Sequence, residues 1–169
     1  MEILIEKLHA KDFEKLFEFE LENRAFFEEM VPSRGDDYYN FETFKQRNKA
    51  LMDEQAQELI YLYLIKNKEG LILGRMNLVD IEKSQGFGHI GYRVGKAYTG
   101  KGIANKALKL LLETTSKLGI KQISAKTTTN NIASQKVLEK NGFKYIATGN
   151  EEFIMNGQLL SFANYIWEK

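Results

Sequence analysis

Glycine residues and a helix start lie together in the segment 100–105, Gly-Lys-Gly-Ile-Ala-Asn. The segment follows a predicted strand, 90–94, and opens a predicted helix. Glycine allows successive backbone N–H groups to point into one concavity, and a helix start adds partial positive charge, so a diphosphate can bind there through the main chain alone. The alternative is purely structural, because the same glycines suit a tight turn from strand to helix.

Two other phosphate-binding patterns overlap this region. Residues 86–91 match G-x-G-x-x-G, which binds dinucleotides only as a turn from strand to helix, whereas residues 92–94 continue a strand. Residues 95–102 match most of G-x-x-x-x-G-K-[ST], but Gly102 stands where a hydroxyl that ligates Mg²⁺ is required. These residues are compatible with a phosphate cradle and argue against nucleotide hydrolysis.

Composition limits the possible chemistry. The chain has 169 residues, of which 43% are hydrophobic and 28% charged, and this predicts a single domain over 1–169. It has no cysteine and two histidines, which excludes a thiolate nucleophile and a cysteine- or histidine-rich metal site, and we expect no metal. No apolar run approaches ~20 residues and no signal-peptide pattern is present, so we expect a cytoplasmic protein that binds no membrane.

The charges nearly cancel but are unevenly distributed. The 24 basic and 23 acidic residues give a formal charge of +1, which argues against a nucleic-acid partner. Residues 12–37 hold nine acids and three bases, whereas residues 95–144 hold ten lysines and two acids. Solvated helix faces explain each such charge individually. Their segregation nevertheless indicates two halves of opposite sign.

Hydrophobic periodicity supplies the elements that must position these residues. Apolar residues at helical spacing, with Pro32 ending the first helix and Asn40 capping the second, predict helices at 13–30, 41–52, 103–118 and 133–140. Alternating or β-branched runs predict strands at 2–8, 59–65, 71–79, 88–94, 120–129, 143–155 and 158–167. The last two strands flank Asn156-Gly157, a strong hairpin turn signal. Hairpins combined with one βαβ crossover predict a mixed sheet and the α+β class.

Two blocks in the second half of the chain match motifs of one enzyme family. Residues 99–104 fit Q/R-x-x-G-x-G/A, with Thr99 in place of Gln or Arg. Residues 131–143, Asn-Ile-Ala-Ser-Gln-Lys-Val-Leu-Glu-Lys-Asn-Gly-Phe, fit N-x-x-S-x-x-V-L-E-K-x-G-F almost throughout. Together with Ile-Gly-Tyr-Arg at 90–93, they resemble the GNAT superfamily of N-acetyltransferases, in the branch of the ribosomal-protein N-terminal acetyltransferases.

The resemblance implies a fold, a cosubstrate and a set of binding residues. The fold is a mixed, mostly antiparallel twisted sheet of about seven strands flanked by about four helices. Acetyl-CoA is the acetyl donor and a primary amine the acceptor. By family position, main-chain amides hold the pyrophosphate, a strand edge pairs with the pantetheine arm, and an asparagine hydrogen-bonds that arm. The residues at these positions are Gly100, Lys101, Gly102, Ile103, Ala104 and Asn105 for the pyrophosphate, Tyr92, Arg93 and Val94 for the edge, and Asn131.

Direct attack of the amine on the thioester is favoured, because the chain lacks cysteine and shows no Ser/His pair. Ser134 lies at the family position proposed to protonate the coenzyme A sulfur, although a serine near a helix start is also an ordinary cap. For the base, strand alternation allows only one of Glu151 and Glu152 to face the cleft, and we prefer Glu152; a solvated strand residue is the alternative. His89 is a further candidate by its intrinsic pKa. No base is required if the amine enters deprotonated.

The predicted function is therefore transfer of an acetyl group to a protein N-terminus or a small-molecule amine. The alternative is a non-catalytic acyl-CoA-binding or regulatory module that retains the phosphate loop. In this fold the first two helices wall the acceptor cleft, so the acidic segment 12–37 predicts a preference for cationic amines. An exposed aromatic final strand, with Phe162, Tyr165 and Trp167, would permit a homodimer.

Overall fold

A seven-stranded sheet organises the chain, whose residues 1–169 are all described by the computed structural model. The strand order is β1-β2-β3-β4-β5-β9-β6, and a separate hairpin pairs β7 with β8. The strands are β1 Ile3–Lys7, β2 Tyr61–Asn67, β3 Ile72–Glu82, β4 Phe87–Val94, β5 Gln122–Thr128, β6 Lys144–Thr148, β7 Phe153–Met155, β8 Gln158–Leu160 and β9 Phe162–Glu168. The helices are α1 Phe13–Glu22, α2 Arg24–Glu28, α3 Phe41–Ala56, α4 Ile103–Thr115 and α5 Ile132–Lys140. The predicted mixed, mostly antiparallel sheet is confirmed, with five helices rather than four.

One parallel pair interrupts the antiparallel sheet. Strands β4 and β5 pair in parallel from Phe87↔Gln122 to Ile90↔Ala125, whereas all other neighbouring strands are antiparallel. Helix α4 makes the crossover between them, as a parallel connection requires. Beyond Ile90 the two strands have no mutual pairing, although β4 continues to Val94 and β5 to Thr128. The sheet therefore opens at the carboxyl ends of this pair.

The sheet has a separate hydrophobic core on each face. Alternation along β2 sends Tyr61, Tyr63 and Ile65 to the core that includes α4 and α5, and Leu62 and Leu64 to the core that includes α1 and α3. Both faces of this interior strand are covered, and its residues 61–65 are all buried hydrophobic or aromatic side chains. None of the helices is both long and apolar enough to cross a membrane.

The predicted first helix is interrupted at Asn23. Its backbone leaves helical geometry there, and α2 starts at the next residue. The Asn23 amide donates to the carbonyl of Phe19 at 2.9 Å, and its Oδ1 accepts from the N–H of Lys96 at 2.9 Å. Asparagine competes in this way with the helical hydrogen bonds. The Asn23 side chain at this break therefore connects the end of α1 to the segment that follows β4.

The C-terminal region differs most from the prediction. The expected strand 143–155 is divided into β6 and β7, because residues 149–152 leave strand geometry. The Asn156-Gly157 turn is confirmed, with φ of 52° and 77° as a two-residue hairpin requires. Strand β9 lies between β5 and β6, and Tyr165 is 2% exposed. The final strand is therefore interior to the sheet, with Tyr165 buried and Phe162 and Trp167 half-buried, so the predicted exposed aromatic strand is not formed. The homodimer itself stays a prediction.

Candidate functional site

The opening between β4 and β5 leaves one edge of a strand without a partner. Residues 91–94 pair with β3 on one side, from Asn77↔Gly91 to Gly74↔Val94, and with no strand on the other. About half of the N–H and C=O groups in this stretch point toward the gap, because strand hydrogen-bonding groups alternate in direction. This edge can accept an extended ligand as an added strand.

The chain after β4 turns through glycines into α4. Gly100 and Gly102 have φ of 74° and 76°, and a Cβ built at either would meet no atom within 4 Å, so both face open space. Gly102 is the N-cap of α4 and supplies no side-chain cap. The first N–H groups of a helix have no acceptor within it, so those of residues 103–105 remain available to a ligand. The predicted nest of main-chain donors is therefore formed.

Two hydroxyl groups meet beside this edge. The hydroxyl oxygens of Tyr92 and Ser134 are 3.1 Å apart. Asn131, the N-cap of α5, accepts a hydrogen bond from the N–H of Ser134 at 3.2 Å, which fixes the helix start that carries this serine. Burial raises the pKa of Tyr92 to about 12, with the Ser134 hydrogen bond acting in the opposite sense. The tyrosine hydroxyl therefore keeps its proton throughout the neutral range.

Two clefts of about 290 Å³ each meet at this point. The first, here called the donor cleft, is mostly apolar and is lined by the glycine segment, the start of α4 and residues of α2 and α5. The second, here called the acceptor cleft, is more polar than the first and is lined by residues of β3, β4, β5, α5 and β9 and by the segment 30–34. Residues lining both clefts are Met30, Val31, Tyr92, Arg93, Asn131 and Ser134. One passage therefore crosses the sheet at the free edge of β4.

Comparison with known families identifies the domain that carries this passage. Residues 2–144 match the family model described as the acetyltransferase (GNAT) domain. The chain belongs to the GNAT acetyltransferase family. Over 158 residues it is 28% identical to the probable N-acetyltransferase YjcK of Bacillus subtilis (strain 168), which covers 92% of this chain and 87% of the relative.

Solved structures show the same fold for this acetyltransferase. The ribosomal-protein-S5-alanine acetyltransferase from Vibrio fischeri superimposes with a TM-score of 0.90 at 22% identity, over 99% of this chain and 93% of that one. The ribosomal L7/L12 alpha-N-protein acetyltransferase RimL, in complex with coenzyme A, gives 0.88 at 18% identity, over 98% and 93%. The fold predicted from the resemblance is thus confirmed.

The structure brings most of the predicted binding residues of the acetyltransferase together. Gly100, Gly102, Ile103, Ala104 and Asn105 line the donor cleft with Tyr92, Arg93, Val94, Asn131 and Ser134. Lys101 lies within the glycine segment, but its side chain is exposed and it does not line the cleft.

The predicted bases are not brought to either cleft. Glu151 and Glu152 are exposed and lie in the irregular segment between β6 and β7, outside the lining of both clefts. The preference for Glu152 rests on the alternation of side chains along a strand, and these two residues are not in a strand. His89 lies outside the lining and its Nδ1 is 2.8 Å from the Ser124 hydroxyl. Burial, and then the charge of Lys126, lower the pKa of His89, which leaves the ring neutral at pH 7. The lining of the acceptor cleft contains no carboxylate and no histidine.

A buried charge cluster behind the acceptor cleft is absent from the sequence prediction. One oxygen of Glu20 accepts from Arg75 at 2.7 Å and from Arg93 at 2.8 Å. Burial raises the pKa of Glu20, but the charges of Arg75 and Arg93 outweigh it and hold the pKa below its usual value. The sequence contains one signal for this cluster, the charged residue Arg75 inside a mostly apolar strand. A charge in such a position requires a buried partner of opposite sign.

The acidic segment does not form the wall that its charge predicts. Glu20 is fully buried between two arginines, and Glu28 and Asp36 both pair with Arg24. The residues lining the acceptor cleft include four cations and no acid. The predicted preference for cationic amines is therefore not supported by the cleft.

Proposed function

We propose that this acetyltransferase moves the acetyl group of acetyl-CoA directly to a primary amine that enters through the acceptor cleft. The observation that carries the proposal is the meeting of the two clefts at the free edge of β4, beside the Tyr92–Ser134 hydroxyl pair. A donor bound in one cleft and an acceptor bound in the other would meet at the residues that line both.

The donor cleft fits acetyl-CoA in its chemistry. Main-chain N–H groups at a helix start bind phosphate oxygens, and the glycines at 100 and 102 leave open space in front of them. The free edge of β4 offers N–H and C=O groups to the amides of a pantetheine arm. Asn131 keeps its amide N–H groups for the same arm while its oxygen caps α5. Acetyl-CoA bound in this way supplies a thioester carbonyl for attack by an amine.

The residues at the junction supply the remaining chemistry. A main-chain N–H at the β4 edge stabilises the negative charge that develops on the carbonyl oxygen. The Tyr92–Ser134 pair lies where the leaving thiolate would need a proton. Ser134 donates its hydroxyl proton to that thiolate and is reprotonated from water, which takes up the proton that the amine loses. With no carboxylate or histidine in the lining, the amine binds neutral and its surplus proton leaves to water.

The acceptor classes remain those that carry a primary amine, either a protein N-terminus or a small molecule. The solved relatives named for the S5 alanine and the L7/L12 α-amine act on ribosomal proteins, and this supports a protein N-terminus for the present chain. The polar acceptor cleft is consistent with either class.

The test is release of free thiol from acetyl-CoA with a panel of amines and short peptides, followed by mass spectrometry of the products. We expect turnover with at least one acceptor. The same peptide already acetylated at its N-terminus should give no turnover. After incubation with acetyl-CoA alone, the enzyme itself should carry no acetyl group. Binding of acetyl-CoA by calorimetry without turnover for any acceptor would instead favour the non-catalytic module. An acetylated protein would contradict direct transfer.

A further inference from the structure

The residues that line the acceptor cleft carry positive charges with no negative charge among them. Its lining includes Arg34, Arg75, Arg93 and Lys126 and no acidic residue. Arg34 and Lys126 make no salt bridge; their charged groups lie over the rings of Tyr38 at 5.1 Å and Phe162 at 4.7 Å. An aromatic face attracts a cation without neutralising it.

The buried part of the cluster is also short of negative charge. Glu20 is the only carboxylate in contact with Arg75 and Arg93, so one negative charge faces two guanidinium groups. Arg75 is 4% exposed, and its Nε has no hydrogen-bond partner. A buried, unpartnered N–H is costly and is rarely left without an acceptor in a native structure. Glu20 Oε2 in the same cluster also has no partner, and both atoms are shielded from solvent. The excess positive charge of the two guanidinium groups is therefore what an anion near the cleft would balance.

A second cavity extends the cationic surface. It has a volume of about 410 Å³ and lies against Arg34, Arg47 and Arg75 with no acidic residue in its lining. Arg34 and Arg75 line both this cavity and the acceptor cleft, so the two spaces adjoin at these side chains. Burial lowers the pKa of Arg93 to about 10. The positive charges of Arg34 and Arg75 also lower it, whereas the negative charge of Glu20 raises it.

We infer that the acceptor of this acetyltransferase carries an anionic group, a carboxylate or a phosphate, close to its amine, and that Arg34 and Lys126 bind this group at the mouth of the acceptor cleft above Arg75 and Arg93. The inference rests on the proposed function and names its substrate class. Guanidinium groups recognise carboxylate and phosphate through paired, charge-assisted hydrogen bonds. The same positive charges disfavour an ammonium ion, so they also keep the reacting amine neutral.

The experiment compares acceptors that differ only in charge. The pairs are β-alanine and β-alaninamide, phosphoethanolamine and ethanolamine, and short peptides that begin Ala-Asp or Ala-Asn. Thiol release from acetyl-CoA gives kcat/KM for each. We expect the anionic member to be preferred by about tenfold or more in at least one pair, since hydrogen bonds to charged groups contribute about that much. The pair with the largest ratio identifies the source of the anion, and rising salt concentration should reduce it.

Exposed cations allow the binding group to be tested without disturbing the core. We expect Arg34→Gln and Lys126→Gln each to raise KM for the anionic acceptor by about threefold to tenfold and to change KM for the neutral partner less, so that the preference within the pair falls. Lys49→Gln is the matched control, because Lys49 is exposed on α3, lies outside both clefts and loses the same charge. A general loss of stability would reduce both members of a pair equally.

Two measurements separate failure of this inference from failure of the proposed function. Turnover with equal kcat/KM within every pair would overturn the inference and leave the proposed function intact. If no acceptor is turned over, calorimetric titration with N-acetyl-β-alanine and with its neutral amide reports on the cleft directly. Binding of the anion alone, lost in Arg34→Gln, would support the anion site, and equal or absent binding would overturn it.

Discussion

The two clefts that meet at the β4 edge are built by different means. The donor cleft uses main-chain groups from one continuous segment, 91–105, with glycines where the backbone needs positive φ. The acceptor cleft uses side chains that come from β3, β4, β5, α5, β9 and the segment after α2. A site made of main-chain groups depends on a few local residue types, whereas a site made of side chains depends on long-range packing.

Removal of the Glu20 charge should be the most damaging change to the acceptor side. Glu20→Gln leaves Arg75 and Arg93 buried without a carboxylate, which we expect to cost about 3–5 kcal/mol of folding free energy. Urea denaturation measures it, and Glu18→Gln, at an exposed position of the same helix, is the control. A loss below ~1 kcal/mol would show that the cluster does not support the cleft.

The stability of wild type and of Glu20→Gln should respond differently to low pH. The folded-state pKa of Glu20 is lowered, so its stabilisation is present above the ordinary carboxyl pKa and is lost as the pH falls through the lowered value. Wild type should therefore lose stability in acid more steeply than Glu20→Gln. Parallel curves of stability against pH would contradict the lowered pKa.

Substitution of the hydroxyl pair tests the junction between the clefts. Ser134→Ala removes the proposed proton donor and Tyr92→Phe its hydrogen-bond partner, and we expect kcat to fall by about 10²-fold in the first and by less in the second. KM for acetyl-CoA should change little. Ser124→Ala, which removes a hydroxyl bonded to His89 outside both clefts, is the matched control. An unchanged kcat in Ser134→Ala would assign this serine only a structural role at the start of α5.

The donor side was predictable from sequence because its information is local. Gly100 and Gly102 adopt the positive φ that their pattern requires, and Asn131 caps the helix that carries Ser134. Strand pairing also followed from apolar runs, with the Asn156-Gly157 turn as the clearest example. These features need only neighbouring residues to be identified.

The acceptor side was not predictable because its partners are distant in sequence. Glu20 lies 55 residues from Arg75 and 73 from Arg93, and no spacing rule links them. The charge count of segment 12–37 was misleading, since four of its nine acids form salt bridges and two of these four, Asp12 and Glu20, are buried. The choice of Glu152 failed for a similar reason, because it assumed a continuous strand where the chain leaves the sheet.

A methyl group in the glycine segment should affect the donor side alone. Gly102→Ala places a Cβ at φ of 76° in front of the α4 start, and we expect KM for acetyl-CoA to rise by about tenfold and stability to fall by about 1 kcal/mol. Gly157→Ala is the matched control, because Gly157 has φ of 77° and equally open space but lies in the β7–β8 turn. It should lose similar stability with no change in KM. An equal change of KM in both variants would attribute the effect to backbone strain elsewhere.

The smallest effect is expected at the exposed carboxylates. A general base contributes about 10²-fold or more to catalysis, so its loss is easily detected. Because Glu151 and Glu152 lie outside both clefts, Glu151→Gln and Glu152→Gln should each retain kcat/KM within about twofold of wild type. In all three proteins kcat/KM should rise with pH until the acceptor amine is deprotonated, since no group in the lining takes its proton. A flattened pH profile and a hundredfold loss in Glu152→Gln alone would show that segment 149–152 reaches the acceptor during turnover, and that the acceptor side is completed only when substrate binds.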